Sequence, residues 1–219
     1  MPGLPNKRSE IEGEIGFNGL AEWWLSTFTP TERIHIEERY KPFVAGRGHP
    51  AAAGSRLTTG KVRSAGGSAA YFLQDLAFSF NRRDDRHIAR RILSKAEELA
   101  ANAPVLDRHF LYLTIIQTYY PDRDVDPGAL DKVIDACQRQ IDLAPEAAPV
   151  FRSRFKGATL PEHRGFEQLA NIREKLGEYK EAIRLNKEAL RHGWAGDWKM
   201  RIDRCEKKLA KVNQGSSPP

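Results

Sequence analysis

The chain has 219 residues, 40% hydrophobic and 29% charged, with a formal net charge of +6. No apolar run approaches the roughly 18 residues that span a bilayer, and MPGLPNKRSEIEGEIG lacks the apolar core of a secretory signal, so a cytoplasmic protein without a membrane anchor is expected. The two cysteines, Cys137 and Cys205, lie at helix-pattern positions without CxxC or Cys/His spacing and read as buried, reduced thiols rather than a metal site.

Residues 1–16 carry Pro, Gly and charge without periodicity and are expected to form a loose arm. Residues 17–44 read as an aromatic helical hairpin. Leu20, Trp23, Trp24 and Phe28 recur at helical spacing. Adjacent helical positions diverge by about 100°, so one tryptophan of the pair belongs in the core and the other over a neighbouring helix or on a binding surface. Thr29-Pro30-Thr31-Glu32 predicts a capping box with proline in the first turn. The second helix then runs to about Tyr40, and Pro42 closes it. Residues 45–68 are rich in Gly, Ala and Ser with only basic charges, the composition of a linker or long loop, and the main boundary is placed there. Leu57 to Val62 reads as a short extended piece.

From 69 to 212 the pattern is continuously helical. Phe72, Leu73, Leu76, Ala77 and Phe80 line one face, with Ser68 as its cap. Ile88, Ile92, Ala96 and Leu99 line the next. A third carries Phe110, Leu113, Ile116 and Tyr120 up to Pro121, and a fourth Leu130, Val133, Ile134, Cys137 and Ile141 up to Pro145. AAPVFRSRFKGA reads as a connection, followed by a second capping box at Thr159-Leu160-Pro161-Glu162. Two amphipathic helices joined at Gly177 follow, and a last helix after Asp197 carries Trp198, Ile202, Cys205 and Leu209. Trp194 and Trp198 flank its start as a lock. Residues 213–219 read as a disordered tail. No convincing strand pair is expected, so the fold class is all-α.

Catalytic and cofactor signatures are not found. GSRLTTGKV has five residues between its glycines and Val62 after Lys61, where a phosphate loop needs four and a hydroxyl. The six histidines form neither HExxH nor an i, i+4 pair. No nucleophile elbow occurs. A non-catalytic protein without cofactor or metal is the expectation.

Leu160 to Gly193 resembles a tetratricopeptide repeat. Phe166, Leu169 and Ala170 fill its aromatic, leucine and small slots. Gly177 and Tyr179 match the turn between helices, and Ala182 and Ala189 the small residues at the helix contact. Arg173 replaces a tyrosine, Asn186 an aromatic, and Gly193-Trp194 the closing proline. A weaker copy spans 107–145, with Phe110, Leu113 and Asp142-Leu143-Ala144-Pro145 in matching slots. The resemblance implies a short α-solenoid of antiparallel helix pairs, with 69–80 and 86–101 as its first pair and the helix after Asp197 as its cap. It also implies a groove that holds a protein or peptide segment. Carried over by position, the groove face of the better copy comprises Arg164, Gln168, Asn171 and Lys175. Glu167 on that face puts a negative charge where a carboxylate clamp needs a positive one. The weaker copy contributes Arg108, Leu111, Tyr112 and Ile115.

A nucleic-acid-binding accessory protein is the first alternative, with Arg82, Arg83, Arg86, Arg90 and Arg91 as one basic cluster and Arg201, Arg204, Lys208 and Lys211 as another, and an enzyme whose site is assembled from distant residues is the second. Acidic neighbours interrupt both basic clusters.

Overall fold

The capping box at Thr29 forms as the local sequence dictates. In a computed structural model of the chain, which describes residues 11–46, 57–62, 67–157 and 159–215, the Thr29 amide donates to Glu32 Oε2 at 2.8 Å and the Glu32 amide to Thr29 Oγ1 at 3.3 Å. The helix it opens, α3 (Pro30–Gly46), continues through Pro42 instead of closing there. It follows α1 (Gly13–Phe17) and α2 (Ala21–Thr27). Trp24 is buried and Trp23 half-buried, with the Trp23 ring edge-on to Phe28 at 5.5 Å.

The expected loose arm is ordered from residue 11. Ile15 is fully buried, as is Leu57. The amides of Glu12, Gly13 and Ile15 donate to the carbonyls of Thr58, Gly60 and Leu57. Residues 57–60 form turns rather than an extended piece, and part of the expected linker therefore docks on α1. The rest of the arm and linker, residues 1–10, 47–56 and 63–66, lies outside the described residues, as do 216–219 of the expected tail.

Ser68 accepts from the Tyr71 amide and caps α4 (Ala69–Phe78), which packs along α5 (Arg86–Leu99). Asp85 ties α5 to α3: it accepts from Arg39 at 2.9 Å and bonds His35 Nε2 at 2.8 Å. Burial pushes the Asp85 carboxyl up, but these two partners outweigh it and hold it below its ordinary range. Arg91 pairs with Glu32 and lies 4.8 Å over the Phe28 ring. Its hydrogen bonds hold the Glu32 carboxyl down at about 2.

The chain divides into two compact units, Met1–Leu99 and Ala100–Pro219, so the α4–α5 pair is grouped with the aromatic hairpin. The second unit contains α6 (Val105–Tyr119) with a single 3₁₀ turn at Tyr120–Asp122, α7 (Pro127–Asp142), α8 (Ala144–Arg154), α9 (Arg164–Lys175), α10 (Tyr179–His192) and α11 (Trp198–Gly215). Helix α7 packs on both α6 and α9, and α10 lies between α9 and α11. Gly165 allows the close approach of α9 to α7, since a Cβ there would sit 2.9 Å from the Cys137 carbonyl oxygen. Gly177, at φ +78°, ends α9. Its amide donates to the Glu174 carbonyl and the Glu178 amide to the Arg173 carbonyl, the paired bonds of a Schellman stop.

Three local expectations are corrected. AAPVFRSRFKGA is not a connection, because residues up to Arg154 form α8 with Pro145 in its first turn, where a missing N–H costs no helical bond. The second capping box does not form. Leu160–Glu162 is instead a strand, β1, paired in parallel with β2 (Trp194–Ala195), where no strand pair was expected. His163 then caps α9, its Nδ1 accepting from the Phe166 amide at 3.3 Å. The fold is mostly helical all the same, and among the described residues this short pair is the sheet. No helix among them is long and apolar enough to cross a membrane.

Candidate functional site

Positions 164, 168, 171 and 175 repeat at intervals of four, three and four, which puts them in one stripe along a helix. Packing α10 and α11 beside α9 turns that stripe into the wall of a cavity of about 440 Å³. Helix α9 contributes Arg164, Gln168, Asn171, Glu174 and Lys175; α11 contributes Arg204 and Lys208; Tyr120 comes from the turn after α6. The four α9 residues expected to face a groove are thus brought together.

The other three are not. Leu111 is fully buried, as is Ile115, which corrects their assignment to an open face. The physical cause is coverage: α6 is packed by α7, α8 and α9, so less of its surface is open than a free helix face would offer. Arg108 lies 3.4 Å from Glu146 of α8. Tyr112 is half-buried, with the Arg139 guanidinium 6.0 Å over its ring. Neither lines the cavity. Tyr120, Arg204 and Lys208 do, and periodicity along one helix carries no sign of them, since they join α9 only through the stacking of helices.

The electrostatics are set by few carboxylates and many cations. Glu174 accepts two hydrogen bonds from Arg204, at 2.8 and 2.7 Å, and one from Lys208 at 2.8 Å. The Arg204 bonds are the main reason its carboxyl is held down at about 2, and the same contacts raise Arg204 and Lys208. Arg201 donates to Asn171 Oδ1 at 2.7 Å and to Glu167 Oε1 at 3.0 Å, and it also pairs with Asp197. Glu167 binds Arg164 as well, at 2.9 Å. Lys175 differs. It is exposed and its Nζ lies 3.5 Å from the Tyr120 hydroxyl, with no carboxylate partner among the described residues. Gln168 is 2% exposed and lines the cavity.

A neighbouring cavity of about 340 Å³ is lined by Glu162, Glu167, Asp197, Trp198 and Arg201 together with backbone at Ala195–Gly196. The Arg201–Asn171 bond joins the walls of the two. Among the described residues no group of three His, Cys, Asp or Glu side chains is placed to hold a metal ion.

Beneath α9 lies a buried polar and aromatic cluster that no local pattern in the sequence signals. Gln140 of α7 donates to the His109 carbonyl at 3.0 Å and accepts from the Gly165 amide at 2.7 Å. It thereby joins α6, α7 and the start of α9. The His109 and Trp194 rings stack at 5.8 Å, and His163 meets Trp194 edge-on at 4.6 Å. Burial pulls His109 down to about 4, and burial followed by the charge of His109 pulls His163 down to about 3. These imidazoles are structural groups holding the platform on which the cavity stands. The buried Cys137 thiol, pushed up to about 12 by burial, is no nucleophile at neutral pH.

Comparison with protein-family models, with curated proteins and with solved structures finds no match for this chain.

Proposed function

We propose that the protein is a non-catalytic interaction module, an adaptor that holds a segment of a partner protein in the cavity between α9 and α11. The observation that carries this reading is the gathering of Arg164, Gln168, Asn171 and Lys175 with Tyr120, Arg204 and Lys208 around one cavity. Binding there is equilibrium recognition and needs no cofactor. A TPR-like arrangement of α6 with α7, α9 with α10, and α11 as cap is the architectural half of the proposal. Its support is the packing order, in which α7 bridges α6 and α9 while α10 bridges α9 and α11. Helix α8 is an insertion that such a stack does not require.

The nucleic-acid reading draws less support. Arg201, Arg204 and Lys208 are already engaged by Asp197, Glu167 and Glu174, and Arg91 by Glu32. Phosphates would have to displace those carboxylates before gaining the cations.

A photo-crosslinking residue at position 171, compared with one at Arg184 on the exposed face of α10, tests the proposal in the native cell. A protein adduct formed from position 171 and not from 184 is expected. A nucleic-acid adduct at 171, or identical adducts at both positions, would overturn it.

A further inference from the structure

We infer that the cavity between α9 and α11 takes an acidic segment of its partner, with two side-chain carboxylates four or six residues apart on one face of an extended strand. The inference rests on the groove reading above and specifies its ligand.

Charge points to the sign of the ligand. Four cations line the cavity against the single carboxylate of Glu174. Two of the four, Arg204 and Lys208, share that carboxylate. Lys175 has a phenol as its neighbour and no carboxylate among the described residues. Arg164 binds Glu167 through Nη1, and its side chain keeps 37% exposure. A guanidinium has five N–H donors, so it can engage a second carboxylate without releasing the first. Both ends of the α9 stripe therefore accept an anion.

Spacing points to the form of the ligand. Arg164 and Lys175 stand eleven residues apart, about 16 Å at the helical rise of ~1.5 Å per residue. One chain-terminal carboxylate cannot reach both. An extended chain advances ~3.3 Å per residue and alternates its side chains between two faces, so acids four or six residues apart share a face and bracket that distance. Between the two cations lies Gln168, whose side chain lines the cavity. A primary amide is the natural complement of a peptide bond, because it donates to the carbonyl and accepts from the N–H.

Phosphate polymers fit less well. They present charge at every nucleotide, and the row along α11 is already neutralised by Glu167, Glu174 and Asp197. Two isolated carboxylates displace none of these.

Fluorescence polarisation on the full chain tests the inference, using ten-residue Ser/Gly/Ala peptides blocked at both ends. One carries glutamates at i and i+4 in one version and at i and i+6 in another, a second glutamines at the same places, and labelled single-stranded DNA is the third probe. A random ten-residue peptide library selected against the full chain runs in parallel, so that the outcome does not depend on the rest of the designed sequence. The expected result is binding of the glutamate peptide about tenfold or more tighter than the glutamine peptide, with acid-rich sequences enriched from the library. Lys175→Glu removes the preference and Lys175→Arg keeps it. Arg184→Glu, on the exposed face of α10, leaves it unchanged. Lys175 is exposed, and matched melting curves show that its variants fold.

Glutamine or neutral library peptides that bind as tightly, and are lost in Asn171→Ala, would overturn the acidic specificity while leaving the groove reading intact. Absence of any peptide, designed or selected, that responds to position 171 or 175 would overturn both. DNA that binds through Lys175 and displaces the peptide would overturn the acidic-protein assignment in favour of phosphate.

Discussion

His163 shows how one side chain serves both a helix end and the core. Its Nδ1 takes the orphan amide of Phe166 at the start of α9, which leaves the ring proton on Nε2 among Trp194, Phe166 and His109. A cationic ring would lose the acceptor and bury a charge. The pH dependence follows from the depressed values of about 3 for His163 and about 4 for His109. Unfolded imidazoles take up protons below about pH 6.5, whereas the folded ones resist until well below that. Stability is therefore full above about 6.5, falls as pH drops, and levels off below the folded values. Thermal melts should show a loss on the order of 2–4 kcal/mol between pH 7 and 5. His163→Asn keeps a capping oxygen but cannot titrate, so it should reduce that slope. An unchanged slope would refute the role of His163. Glu32 and Glu174 act in a lower window, since carboxyls held at about 2 stabilise above their unfolded value of ~4.5 and lose that contribution as pH falls towards 2.

Gly165 is the second position where one residue decides the packing. Its missing Cβ leaves room for the Cys137 carbonyl and for Gln140, whose Oε1 accepts from the Gly165 amide. Gly165→Ala should cost about 1–3 kcal/mol through overpacking, measured by denaturant midpoint. A midpoint at or above that of the parent would show that α7 and α9 separate freely.

At the scale of elements, α10 is held between α9 and α11, and Ala182 and Ala189 are both fully buried on it. Replacing either by leucine should lower stability by about 1–3 kcal/mol. Unchanged melting in both variants would sink the close packing of α10. Most helices were legible because their apolar faces repeat at the helical period and their starts carry recognisable caps, as at Ser68 and Thr29. Helix α8 was not, since Pro145 and Pro149 hide a helix whose buried Ala144, Ala147, Ala148 and Phe151 read as composition rather than as a stripe. The β1–β2 pair was illegible for a different reason. Three residues carry no periodicity, and their partner at Trp194 arrives only after α9 and α10 have folded back.

At the scale of the molecule, the division after Leu99 predicts that residues 100–219 expressed alone are helical and melt cooperatively. A non-cooperative transition would show that the second unit depends on the first. The candidate site belongs entirely to this second unit, so the isolated piece, if cooperative, should retain the response of binding to Lys175→Glu.

What the sequence determined by itself is the helical class, the caps, the turn at Gly177 and the α9 stripe of Arg164, Gln168, Asn171 and Lys175. Each depends on residues within a few turns of one another, where backbone geometry and helical period act directly. Tertiary structure alone decided that Leu111 is buried, that Tyr120, Arg204 and Lys208 complete the cavity, that Glu174 neutralises two cations of α11, and that Lys175 is left without a carboxylate among the described residues. These are outcomes of which helix packs beside which, and distant charges and surfaces meet or miss according to that packing rather than to their spacing along the chain.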